Sequence, residues 1–191
     1  MSRPRRNPLL ARPSADACEF GRRLRGLLRR THLAGLLEPR RERNGTLKKR
    51  GWTTGGCWLL AEALRRWIGP RAQMVVLTGG RAEDWSLHPE HVLVRVGGWY
   101  LDGLGARTRA EVLHWARRVI LEDPEVVALD EDFYAWFEEG STEDWGMEMM
   151  PEYIDLLHLE IERVLGPAGR YRWGSRCRSA RRPPAARRRR P

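Results

Sequence analysis

Cysteine is scarce in this sequence, with three residues in 191, at Cys18, Cys57 and Cys177. An odd and sparse count does not make a disulfide framework, which excludes a small scaffold stapled by bridges. Lysine is scarcer, with Lys48 and Lys49 the only two. No apolar run approaches the roughly 20 residues that a membrane-spanning helix needs. Leu9-Leu10-Ala11 before Arg12-Pro13 is too short for the apolar part of a secretory leader. These absences lead to the expectation of a reducing, cytoplasmic setting and no membrane contact. There is also no glycine loop followed by Lys-Ser or Lys-Thr to cradle phosphate. No paired-carboxylate spacing suits sugar hydrolysis, and no internal repeat is found.

What is abundant is arginine, and its placement is uneven. Residues 1–50 hold 15 basic and 4 acidic side chains, residues 51–169 hold 10 and 21, and residues 170–191 hold 10 and none. An acidic centre therefore lies between two basic ends. Such ends can contact nucleic acid, an anionic surface or the acidic centre itself. The same arginines, beside many Ala, Gly and Pro, also fit a compositional bias. Aromatic interleaving is thin (Tyr171 and Trp173), which argues against base stacking. Apolar residues make up 41% of the chain, enough for one core, and the length suits one domain rather than two.

Hydrophobic spacing divides the chain. Residues 1–14 read as a loose basic arm. Phe20, Leu24, Leu27 and Leu28 form one apolar stripe, predicting a helix from Ala15 to about Leu37 with Ser14 or Asp16 as cap. Cys57, Leu60, Ala61, Leu64 and Ile68 share a face of a second helix, which opens at Cys57 and stops at Gly69-Pro70. Ala72–Thr78 reads as a buried strand. His91–Val96 and Trp99–Asp102 read as a hairpin turned by Gly97-Gly98. Helical spacing returns over Arg109–Leu121, Leu129–Glu139 and Pro151–Leu165. Gly166-Pro167 is expected to end the domain, placing it at residues 15–168 with a disordered Arg-rich tail over 169–191. The expected class is α+β: a Cys-bearing helix packed on a small antiparallel sheet, flanked by further helices and basic ends.

The chemistry concentrates between Gly51 and Gly105. A sulfur in the first turn of a helix meets unpaired amide N–H groups and the positive end of the helix dipole, conditions that favour thiolate. Cys57 follows Gly55-Gly56, and glycine lets backbone or ligand come close. In the hairpin a two-residue loop sets Val96 opposite Trp99 and Leu93 opposite Asp102. His91 and Asp102 then share a face as diagonal neighbours, within reach of an imidazole–carboxylate hydrogen bond. That bond would set the tautomer and leave the other ring nitrogen for a thiol. A loop one residue longer would put the pair on opposite faces.

The order of these blocks resembles the transglutaminase-like branch of the papain-like fold. The strings Gly56-Cys57-Trp58-Leu59-Leu60-Ala61, His91-Val92-Leu93-Val94 and Trp99-Tyr100-Leu101-Asp102 carry the resemblance, which covers about 55 residues. It implies Cys57 as nucleophile, His91 as base and Asp102 as the orienting acid. The implied reaction is attack on an amide or peptide carbonyl, with transfer of the acyl group to water or an amine and no cofactor. The oxyanion would be held by the Cys57 N–H and an upstream donor. The position before the cysteine is Gly56 rather than Gln, and no Gln occurs in residues 1–72, so the Trp52 indole is the candidate donor.

Other roles are open to residues around this site and beyond it. Trp58, Trp85 and His88 are candidates to line a groove beside Cys57. His88 with His91, Cys57 and Asp102 offers a weaker zinc set. His114 and His158 read as structural, Cys18 as helix packing and Cys177 as incidental. The acidic run from Leu129 to Met150 reads as a solvated face that also suits a cationic substrate. Two alternatives to a thiol enzyme stand beside it. One is an inactive domain binding a peptide in the same groove. The other is a nucleic-acid accessory acting through residues 1–50 and 170–191.

Overall fold

A computed structural model describes residues 15–37, 40–41, 47–48, 51–53, 55–79, 91–119, 123–129 and 151–174. In chain order they form β1 (Ala15–Asp16), α1 (Ala17–Leu28), α2 (Thr31–Ala34), β2 (Arg40–Arg41), β3 (Leu47–Lys48), α3 (Cys57–Ile68) and β4 (Gln73–Gly79). There follow β5 (His91–Val96), β6 (Trp99–Asp102), β7 (Gly105–Arg107), α4 (Arg109–Val119), β8 (Pro124–Ala128), α5 (Pro151–Leu165), a 3-10 turn (Ala168–Arg170) and β9 (Tyr171–Arg172). The class is α+β. The arm over 1–14, most of the expected helix over Leu129–Glu139 and the acidic run beyond Leu129 lie outside the described residues.

The main sheet has five antiparallel strands in the order β7-β6-β5-β4-β8. Strand alternation gives it two unlike faces. Met74, Val76, Val92, Val94, Val96 and Leu101 turn toward the helical core, where α3 crosses β5 and packs against α5. Val75, Leu77, Leu93 and Tyr100 turn the other way and meet Val112, Leu113 and Ala116 of α4. The site lies at the end of the sheet where β5 begins and α3 starts.

Local chemistry sets these elements. Asp16 caps α1 by accepting from the Glu19 N–H at 2.9 Å. The helix ends at Leu28, short of the expected Leu37, and Thr31–Ala34 adds a separate turn. Gly69 stops α3 with φ +80°, a conformation glycine adopts without strain. The Gly97-Gly98 turn takes positive φ only at Gly97 (58°), as in a type II′ hairpin, and pairs Val96 with Trp99. The observed register is therefore the one that a two-residue loop dictates.

Two corrections concern the ends. The domain does not stop at Gly166-Pro167. β9 pairs in parallel with β1, and Tyr171 and Trp173 are buried against Phe20, with ring centroids 5.3 and 5.1 Å away. Those aromatics belong to the core, not to a basic tail, because α1 leaves its apolar stripe open there. Cys18 is disulfide-bonded rather than simply packed. No helix among the described residues is long and apolar enough to cross a membrane.

Candidate active site

Cys57 is the first residue of α3, and the turn before it is built for close packing. The Gly56 N–H donates to the Gly51 carbonyl at 3.1 Å, and Gly55 has φ +83°. A Cβ on Gly56 would fall 2.5 Å from Leu37 Cδ2 and 3.1 Å from the Gly51 oxygen. Residue 56 thus fits closely against the Leu37 side chain and the Gly51 backbone, a reason for a small residue there that is independent of any ligand. The helix start leaves its first N–H groups without intrahelical acceptors, and the Val92 and Trp58 amides help to stabilise the sulfur as thiolate.

His91 opens β5 opposite Leu77, and Asp102 closes β6. The His91 Nε2 and Asp102 Oδ2 are 2.9 Å apart. Continuing the Val94–Leu101 pairing sets Leu93 opposite Asp102, so imidazole and carboxylate meet diagonally on the α4 face. Asp102 Oδ1 accepts from the Leu104 N–H at 2.8 Å. That leaves His91 Nδ1, a buried atom with no regular hydrogen-bond partner among the described residues, as the nitrogen available to the sulfur. Such loose geometry is common in a site without substrate.

The thiol and the ring nonetheless act on each other. Burial pushes the Cys57 thiol up, but the His91 ring together with the Val92 and Trp58 amides outweighs it and the net shift is downward. Burial pushes His91 down, yet Asp102 and then Cys57 overcome it and raise the ring to about 9. Opposite shifts in a cysteine and a histidine mark a thiolate–imidazolium pair. Cys57 is 7% exposed, His91 0% and Asp102 2%, so the pair works in a low dielectric that strengthens it.

The remaining expected site residues divide three ways. Trp52 is not an oxyanion donor here: its indole N–H donates to the Leu28 carbonyl at 3.2 Å, because the turn lies against the end of α1. Trp58 is buried in the helical core and does not line a groove, since the second position of α3 faces inward. Trp85 and His88 lie outside the described residues, and the zinc set that needs His88 goes with them.

Two residues at the site escaped sequence reading. The Arg107 guanidinium pairs with Asp102 Oδ2, the oxygen that also meets His91. Trp115 of α4 lies 5.4 Å from the His91 ring, centroid to centroid, and Arg107 Cζ sits 4.9 Å from its ring centroid. Arg107 follows a second tight turn, Asp102-Gly103-Leu104-Gly105, that feeds β7, but nothing in that spacing singles out the arginine. Gly105 has φ +107°, and a Cβ there would meet the Gly21 backbone at 3.1 Å. Trp115 had no local signal, because α4 reaches the sheet from the far side.

The chain matches no family model, no curated protein and no solved structure. Functional inference therefore rests on the residues themselves.

Proposed function

We propose that this chain is a thiol-dependent amidohydrolase or acyltransferase of the transglutaminase-like, papain-like kind, acting through Cys57, His91 and Asp102. The observation that carries it is the buried imidazole with Nε2 on Asp102 and Nδ1 left for a sulfur at the tip of α3. Residues far apart in sequence converge there in the order that nucleophilic thiol catalysis requires.

In this reading the thiolate attacks an amide carbonyl carbon and forms a C–S bond. The Cys57 backbone N–H, among the first N–H groups of α3, donates to the developing oxyanion. The C–N bond then breaks, and His91 gives its proton to the departing amine. Water or an amine, deprotonated by His91, attacks the thioester and the C–S bond breaks, returning the sulfur to thiolate. Asp102 keeps the ring in its tautomer and stabilises the imidazolium throughout. The substrate is an amide or peptide. The buried Cys57 restricts it to a slender group presented at the end of the sheet.

An activated acyl ester tests the chemistry without knowledge of the substrate. p-Nitrophenyl acetate is expected to give a burst of p-nitrophenolate and one acetyl group on Cys57 by peptide mass spectrometry. His91→Ala is expected to slow the burst by about 100-fold or more. Acetylation of native Cys57 no faster than that of free cysteine would contradict the proposal.

A further inference from the structure

We propose that Arg107 is a positioning residue of this site, which shares Asp102 Oδ2 with His91 and, from beside that carboxylate, sets the charge felt by the sulfur and the ring. The inference rests on the thiol reading above and deepens it.

The geometry separates Arg107 from an ordinary surface ion pair. Its side chain is mostly buried, and its Nε has no hydrogen-bond partner among the described residues. Burying a guanidinium with a donor unmet is costly, and packing alone would be served by an apolar residue. The guanidinium is held between two features. One is the Asp102 carboxylate, itself fixed by the Leu104 N–H. The other is the Trp115 ring, which also touches His91. Trp115 therefore limits the movement of both cationic partners of Asp102.

The pairing follows from backbone register. Arg107 lies opposite Tyr100 and Gly105 opposite Asp102, so Arg107 reaches the carboxylate diagonally from β7 as His91 does from β5. Asp102 sits between two strands that each present one cation on the same face. The groups around the His91 ring are Cys57 from α3, Asp102 from β6, Arg107 from β7, the uncharged Leu77 from β4 and Trp115 from α4. Arg107 is the member of that set whose positive charge opposes a second one on the ring while favouring a negative one on the sulfur.

This has a signed consequence. Removing the Arg107 charge makes thiolate harder to form and makes the imidazolium harder to deprotonate. Both inflections of the thiolate–imidazolium pair then move to higher pH. Removing the Asp102 charge moves both to lower pH. A residue that only holds the fold together moves neither.

The test is site-resolved iodoacetamide alkylation of Cys57 from about pH 4 to about pH 10, with His91 followed by NMR of labelled histidine. Arg107→Gln is expected to raise both inflections by about one unit, Asp102→Asn to lower both, and the double variant to return them toward wild type. Arg107→Lys keeps the charge and should keep the inflections, while the loss of the planar fork slows the acetyl-transfer burst. Should Arg107→Gln alone not fold, comparing Asp102→Asn with the double variant gives the same shift without an unpaired buried carboxylate. Inflections unmoved by Arg107→Gln, or moved downward, would overturn the inference even if Cys57 proves reactive. A wild-type Cys57 that titrates as an ordinary thiol, with no response to His91→Ala, would instead remove the underlying thiol reading.

Discussion

His91 carries opposing demands. Burial favours its neutral form, while Asp102 and Cys57 favour the cation and raise it to about 9. Its contribution to stability is therefore complete below the unfolded value of about 6.5 and is lost as the pH rises through about 9. Cys57→Ala removes the sulfur's share, so the His91 pKa is expected to fall below that of wild type while staying above the ordinary range through Asp102. An NMR titration of both proteins checks this, and an unchanged value would mean that sulfur and ring do not interact. The His91–Asp102 contact was legible in the sequence because a two-residue loop leaves no freedom of register. Arg107 and Trp115 were not. A guanidinium five residues after an aspartate has no distinctive pattern, and Trp115 meets His91 only when α4 folds back over the sheet.

Helices were easier to read than short strands. α3 and α5 have periodic apolar faces and clear boundaries, and α5 spans the expected Pro151–Leu165. β7 is only three residues long, and β8 opens with Pro124 at the sheet edge, where proline is tolerated and alternation is weak. The docking of α1 on β7 depends on a glycine that sequence alone does not single out. A Cβ on Gly21 would sit 2.7 Å from the Ala106 nitrogen, whereas one on Gly26 would meet nothing within 4 Å. Helix propensity favours alanine over glycine by about 1 kcal/mol at either place. The backbone clash at Gly21 costs about 1–3 kcal/mol and outweighs it. Gly21→Ala should therefore lower the melting temperature and Gly26→Ala should raise or preserve it. Matching shifts in the two variants would mean that α1 does not lie against β7 as described.

At the scale of the molecule, the uneven charge guided the reading of the ends only in part. The arginines around residues 170–173 suggested a tail, yet Tyr171 and Trp173 among them complete the core beside Phe20 and Trp67. Composition could not separate these aromatics from their basic neighbours, because their partners lie about 100 to 150 residues earlier in the chain. Trp173→Ala should cost about 3–5 kcal/mol, a fall of roughly 6–20 °C in melting temperature for a domain of this size. No change in thermal unfolding would return Trp173 to a loose tail. The helical core, the sheet and the β1–β9 pairing together bring the tip of α3 to the start of β5, and the central claim is that this junction activates a sulfur. Iodoacetamide labelling at about pH 6 under native conditions tests it most directly. Cys57 is expected to react at least tenfold faster than free cysteine, and His91→Ala to abolish the difference. A native Cys57 that reacts no faster than free cysteine, with or without His91, would contradict it.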